Sequence, residues 1–287
     1  MADQAESLRE LMRSRTVPIS QSKTRIIAVT SGKGGVGKTN VATNLAIAYA
    51  QIGKKVVLMD ADLGLANVNV VLGVIPKYNL YHLIKGQRSL EEIIIDTPYG
   101  IKIIAGASGF AKIANLSDDE RDRFIDELSG LSFADVIIID TSAGVGQNVI
   151  SFVAAADDVV IVTTPEPTAI TDAYGIIKII ATEIENLNMG LKLVVNRVKT
   201  VTEGKKVSER VTSIAGQFLN IKVDYLGFVY EDPAVQGAVL RQRPFIVGEP
   251  RSKAAGCIKH LVGRLEKVDY KEGRGLGSFL KRFMGGA

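Results

Sequence analysis

Three features of the 287-residue sequence predict an α/β fold with a doubly wound, mostly parallel sheet and helices on both faces. Residues 25–268 alternate β-rich runs with helical stretches. Several runs, Val136-Ile137-Ile138-Ile139 above all, are apolar throughout, the pattern of strands covered on both sides. The segments between them are long enough to serve as crossover helices.

In chain order, the first strand is expected at Arg25–Thr30, followed by a helix over Asn40–Gln51 and a second strand at Lys55–Asp60. Ile101–Ala105, Asp135–Asp140 and Val159–Thr163 follow as strands, then a helix at Thr168–Leu187, a strand at Leu191–Asn196 and a weaker one near Tyr225–Val229. Residues 1–24 are polar with one short helical pattern, and 269–287 mix glycines, basic residues and large apolar ones. The division expected is therefore an N-terminal segment over 1–24, one domain over 25–268 and a tail over 269–287.

Composition excludes several classes. Lys+Arg number 35 against Asp+Glu 31, a net charge of +4, too weak to argue for nucleic acid without clustering. Lys199, Lys205, Lys206 and Arg210 are basic neighbours, but no aromatics interleave them. The single cysteine, Cys257, rules out an internal disulfide and any multi-cysteine metal site within one chain. No apolar run reaches the roughly 18 residues of a membrane span, and the polar start is no signal peptide. A soluble, cytoplasmic protein is expected. His82 and His260 have no ligand-spaced neighbours and read as ordinary residues.

The chemistry lies at strand ends. After the first strand comes Ser31-Gly32-Lys33-Gly34-Gly35-Val36-Gly37-Lys38-Thr39, which satisfies G-x-x-x-x-G-K-[ST] between a strand and a helix. Such glycines turn backbone N–H groups toward phosphate oxygens, and the following helix adds its N-terminal dipole. Lys38 is placed to reach β- and γ-phosphates, and the Thr39 hydroxyl to ligate Mg²⁺. Residues 32–40, from Gly32 to Asn40, are the candidate nucleotide contacts. Asp140, ending an apolar strand, is the candidate Mg²⁺ carboxylate, directly or through water. The second strand ends in Asp60-Ala61-Asp62, where α/β folds place ligands. The pair stands at the strand's terminus, and equal roles for the two carboxylates are not expected.

The form Lys-Gly-Gly-Val-Gly-Lys-Thr resembles the deviant phosphate loop of the MinD/ParA ATPases, and the resemblance covers about residues 25–265. It implies ATP/ADP and Mg²⁺ as ligands and a nucleotide-sandwich homodimer, with Lys33 crossing to the partner's phosphates. It also implies that Asp62 orients the attacking water and that Asp60 is a metal-shell or structural partner. Asn196 would contact adenine, with the loop at Glu231 and Pro233 closing over the base. The chain has Ser142 where relatives often carry proline, and Val194–Lys199 lacks the terminal Asp of a guanine-specific element. Gly64-Leu65-Ala66-Asn67 favours the MinD branch.

Two appendages narrow this further. Leu276, Phe279, Leu280, Phe283 and Met284 fall on one helical face, with Lys281 and Arg282 off it. The pattern resembles MinD's membrane-targeting tail, and also suits a helix docked on the protein's own core or on a partner. At the other end, Asp3-Gln4-Ala5-Glu6-Ser7-Leu8-Arg9 has a capping-box arrangement and resembles the Asp-Gln-Ala-x-x-Leu-Arg signature of the FlhG family (FleN, YlxH), regulators of flagellar number and placement. That resemblance implies stimulation of the GTPase FlhF by Asp3, Gln4, Ala5, Leu8 and Arg9. It also implies reversible association with the inner face of the cytoplasmic membrane, at the cell pole, and flagellar switch proteins or a flagellar transcription regulator as further partners. The rivals are a MinD-type division-site regulator, a nucleotide-bound scaffold and a DNA-partitioning ATPase.

Overall fold

The computed structural model describes residues 24–62, 67–106, 126–184 and 189–267, together with Leu276 and Leu280. The strands are β1 (Arg25–Ser31), β2 (Val56–Ala61), β3 (Ile94–Asp96), β4 (Lys102–Ile104), β5 (Val136–Ala143), β6 (Asp158–Thr163), β7 (Gly190–Val198) and β8 (Asp224–Tyr230). They form one sheet in the order β3-β4-β2-β5-β1-β6-β7-β8. Every neighbouring pair is parallel except β3–β4. All seven expected strands are present. The addition is β3, whose three residues leave a short helical turn at Leu90–Ile93 and pair antiparallel with β4 at the edge. A run that short carries no periodicity to detect.

The longer helices are α1 (Lys38–Gln51), α2 (Gln147–Ala155), α3 (Pro167–Glu183), α4 (Val201–Leu219), α5 (Pro233–Leu240) and α6 (Lys253–Lys267). Strand alternation feeds two cores. Ile27 and Val29 of β1 point to one face, where Leu45 of α1 and Ile258 and Leu261 of α6 pack. Ile26 and Ala28 point to the other, covered by Phe152 of α2, Ile176 and Ile180 of α3, and Val211 of α4. Leu276 and Leu280 are helical, buried in this second core, 6% and 0% exposed. Of the tail's two readings, those two residues adopt the docked one. Phe279, Phe283 and Met284 lie outside the described residues, as does the segment holding Asp3, Gln4, Ala5, Leu8 and Arg9. Among the described residues, no helix is long and apolar enough to cross a membrane.

Connections from β1 run outward in both directions, to β2 across β5 and later to β6 and β7 on its other side. The carboxyl end of β1 is thus the point where the winding reverses, and a crevice forms there. The amino end is closed by charge. Arg25 donates from Nε and Nη2 to Asp158 Oδ2 at 2.8 and 2.6 Å. From Nη1 it reaches Glu266 Oε1 and the Leu265 carbonyl, both at 3.2 Å. Lys192 Nζ completes the cluster 3.5 Å from Asp158 Oδ1. The start of β1, the start of β6, β7 and the end of α6 are held at one node.

Candidate active site

The phosphate loop begins where β1 ends at Ser31 and closes where α1 begins at Lys38. Gly37 has a left-handed backbone, φ 89°, and a Cβ there would stand 2.4 Å from Asn196 Nδ2. Glycine is required on both counts. Gly32 is needed for another reason: its Cβ would lie 2.0 Å from the Asp172 carbonyl of α3. It lets the loop pass against that helix, and the buried Val36 side chain anchors the loop in the core beneath α1. Both support the loop from behind. Lys33, Gly34, Gly35, Gly37, Lys38, Thr39 and Asn40 line a cavity of about 490 Å³, together with Asp62 and Asn67.

The two loop lysines behave differently. Lys38 is buried, its Nζ 2.7 Å from Asp140 Oδ1. Lys33 points outward, 38% exposed, and bonds Glu166 Oε2 at 3.0 Å and Thr168 Oγ1 at 2.8 Å, on the connection from β6 into α3.

The carboxylates divide because β2 ends at Ala61, which leaves Asp60 inside the strand and Asp62 beyond it. Asp60 on β2 and Asp140 on β5 are register partners in adjacent parallel strands, so their side chains share a face of the sheet. Asp60 accepts from Asp62 N at 3.0 Å and from Val68 N at 3.2 Å, one bond to each oxygen. Burial, then the neighbouring Asp140 charge, pushes its pKa up to about 7. The two bonds to Asp60 tie Asp62 to the start of the helical turn at Val68–Leu72, the geometry of a brace. Asp140 is fully buried, and its Oδ2 has no partner. Burial raises its pKa, while Lys38 and the Thr39 hydroxyl pull it back. A buried, unpaired carboxylate oxygen beside a hydroxyl suits a hard cation that also takes phosphate oxygens and waters. Among the described residues no three His, Cys, Asp or Glu side chains are grouped as a set of metal ligands. Asn67 Nδ2 reaches Asp62 Oδ2 at 3.4 Å, at the phosphate cavity.

A second cavity of about 630 Å³ is lined by Asn196, Tyr230, Glu231 and Pro233. Gly37, Asn40, Arg197 and Val239 line both cavities, which form one cleft. Asn196 donates from Nδ2 to the Val36 carbonyl at 2.8 Å, which leaves Oδ1 to accept. An acceptor there suits the exocyclic amine of adenine and opposes the O6 of guanine. Sequence reading missed Glu166 and Thr168, the partners of Lys33, and Arg197, which donates from Nη2 to the Gly35 carbonyl at 2.9 Å. Only adjacency to Asn196 could have flagged Arg197. His82 has a local role, closing a helix cap with Asn79.

A glycine-rich loop at the reversal point of a doubly wound sheet, with a buried carboxylate of the adjacent strand under its lysine, defines a phosphate-loop nucleotide hydrolase. The chain belongs to the CobQ/CobB/MinD/ParA nucleotide-binding domain family, whose model matches residues 27–245. It is similar to the antiactivator FleN of Pseudomonas aeruginosa, 40% identical over 254 residues, covering 87% of this chain and 88% of that one. It is also similar to the flagellum site-determining protein YlxH of Helicobacter pylori, 36% identical over 292 residues, 99% of this chain and 97% of that one. Among solved structures, MinD of Pyrococcus horikoshii complexed with Mg-ADP matches with a TM-score of 0.69 and 27% identity, covering 88% of this chain and 99% of that one. The protein is an ATPase, with ATP, ADP and Mg²⁺ as its ligands.

Proposed function

We propose that the protein is an ATP-gated dimerising switch that sets flagellar number and placement. The observation that carries the switch is the split between the two loop lysines. Lys38 is buried beside Asp140, whereas Lys33 sits on the surface against Glu166 and Thr168. A cation at the rim of the cavity, held by an exposed pair, can turn to a second copy's nucleotide, as an arginine finger does in other phosphoryl transfers. The flagellar assignment draws on the FleN and YlxH relatives. The YlxH match covers 99% of this chain and so extends into both appendages.

In this reading the loop N–H groups and Lys38 bind the phosphates, Lys38 turning from Asp140 to do so. Asp140 and Thr39 hold Mg²⁺, which when bound neutralises charge on the β- and γ-phosphates. Asp62, steadied by Asn67, orients water for in-line attack. Asn196 selects adenine, and Glu231 and Pro233 bound the base. Two copies pair over their nucleotides, with Lys33 of each serving the other, and hydrolysis separates them.

The tail becomes an output. A helix of its length is marginal in water, and each basic residue near anionic lipid adds only about 1 kcal/mol. Docking of Leu276 and Leu280 in the core opposes membrane binding by one copy. Two released tails on one dimer would bind with the avidity of a linked pair, at the inner face of the cytoplasmic membrane. The N-terminal segment would engage and stimulate an FlhF-type GTPase, with Gln4 ordering water in the partner's site and Leu8 and Arg9 anchoring the helix.

The decisive experiment is the solution mass of wild type and Asp62→Ala with ADP and with ATP. Doubling with ATP alone, most persistent in Asp62→Ala, is expected; a mass indifferent to nucleotide overturns the switch. Deleting residues 1–20 should then abolish GTPase stimulation while sparing ATP hydrolysis. A division-site regulator, the role named for MinD, would show no such stimulation to lose.

A further inference from the structure

The phosphate loop binds oxyanions only while its amide N–H groups face the cavity, which turns carbonyls of the same peptides away from it. Water can satisfy such a carbonyl where it is exposed, but only a donor fixed to the protein also holds its direction, and with it the direction of the N–H groups in the same peptides. Here two consecutive side chains at the end of β7 supply them. Asn196 Nδ2 takes the Val36 carbonyl at 2.8 Å, and Arg197 Nη2 takes the Gly35 carbonyl at 2.9 Å. Alternation along a regular strand would send neighbouring side chains to opposite faces. The chain avoids this by placing Arg197 in the left-handed region, φ 58°, one of three non-glycine residues so placed among those described. The pairing of β7 with β8 is irregular at the same point, between Val195 and Val198. Left-handed backbone is unfavourable for arginine, so the arrangement persists at a cost in stability.

We infer that Arg197 is a positioning residue for the ATPase reaction: its guanidinium fixes the Gly35 carbonyl outward and thereby pre-orders the loop for phosphate. Acting beside Asn196, it ties the wall of the base cavity to the loop that grips the phosphates, and it lines both halves of the cleft.

The backbone supplies the test. Arg197→Gly removes the guanidinium and relieves the left-handed strain together, and Arg197→Asn removes its reach while tolerating that backbone. A residue that merely stabilised the fold would lose stability and binding in step. For a positioning residue they part: urea unfolding of Arg197→Gly without nucleotide gives stability equal to or above wild type, while binding falls. The binding probe is competition of ADP, and separately of inorganic pyrophosphate, against a fluorescent ADP analogue. Both competitors are expected to weaken about tenfold in Arg197→Gly and Arg197→Asn, with partial recovery in Arg197→Lys, which keeps a donor. In steady-state hydrolysis KM for ATP rises more than kcat falls. A loss confined to kcat, unchanged pyrophosphate affinity, or stability falling together with binding overturns the inference.

Discussion

The two ends of the central sheet use the same materials to opposite ends. At the amino end, Asp158 is gripped by two Arg25 nitrogens and approached by Lys192, while Arg25 spends its remaining nitrogen on Glu266 and the Leu265 carbonyl. At the carboxyl end, Asp140 has one cation, Lys38, and one oxygen left without a partner. Asp158 opens β6 and Asp140 stands in the carboxyl half of β5, and both are buried. The amino end is closed, satisfied and structural. The carboxyl end is under-paired, and an orphaned buried polar atom of that kind costs about 1–3 kcal/mol until something completes it. Stability sits at one pole of the molecule and reactivity at the other.

The largest effect expected from breaking this contrast is on stability. Arg25→Met leaves Asp158 buried with only the more distant Lys192, and should cost about 3–5 kcal/mol in urea unfolding with ADP affinity unchanged. Asp140→Asn should do the reverse. It should lower ATP turnover by more than about 100-fold, as loss of a transition-state electrostatic contact does, and shift stability by less than about 1.5 kcal/mol. If both variants lost stability and turnover in parallel, the division of labour would be wrong.

A smaller effect follows from pH. Burial pushes the Asp60 pKa up to about 7 in the folded chain, from an ordinary value of 3.8. Between those values the folded state holds a proton that the unfolded state has released. This contribution therefore favours folding at low pH and is lost as pH rises through about 7, with a slope of up to about 1.4 kcal/mol per unit. Nucleotide-free unfolding measured at several pH values from 5 to 8 should carry that slope, and Asp60→Asn should flatten it. The smallest effect belongs to the exposed pair Lys33–Glu166: Glu166→Gln should change stability by less than about 1 kcal/mol, checked by the same unfolding assay.

The regular part of this architecture was legible in the residues. Val136–Ile139 announces a central strand because burial on both faces demands an unbroken apolar run. The loop from Gly32 to Thr39 is legible because phosphate binding constrains consecutive residues. What stayed hidden was set by residues far apart in the chain. Glu166 meets Lys33 across 133 positions, and Arg197 meets Gly35 across 162. Nothing local in either neighbourhood encodes the meeting. Asp60 was half legible: alternation alone would put it on the same face as Asp62, and it is the end of β2 at Ala61, its register with Asp140 and its two backbone bonds that make it a brace.

The contact of Arg25 with Leu265 and Glu266 also means that the start of β1 and the end of α6 lie side by side. A circular permutant joining residue 267 back to residue 24 through a short linker would keep the whole sheet while taking Leu276 and Leu280 out of the second core, and new ends could be cut into a surface loop elsewhere. In such a molecule either appendage could be carried to a different place on the surface, so its dependence on the pole from which it now departs becomes open to experiment.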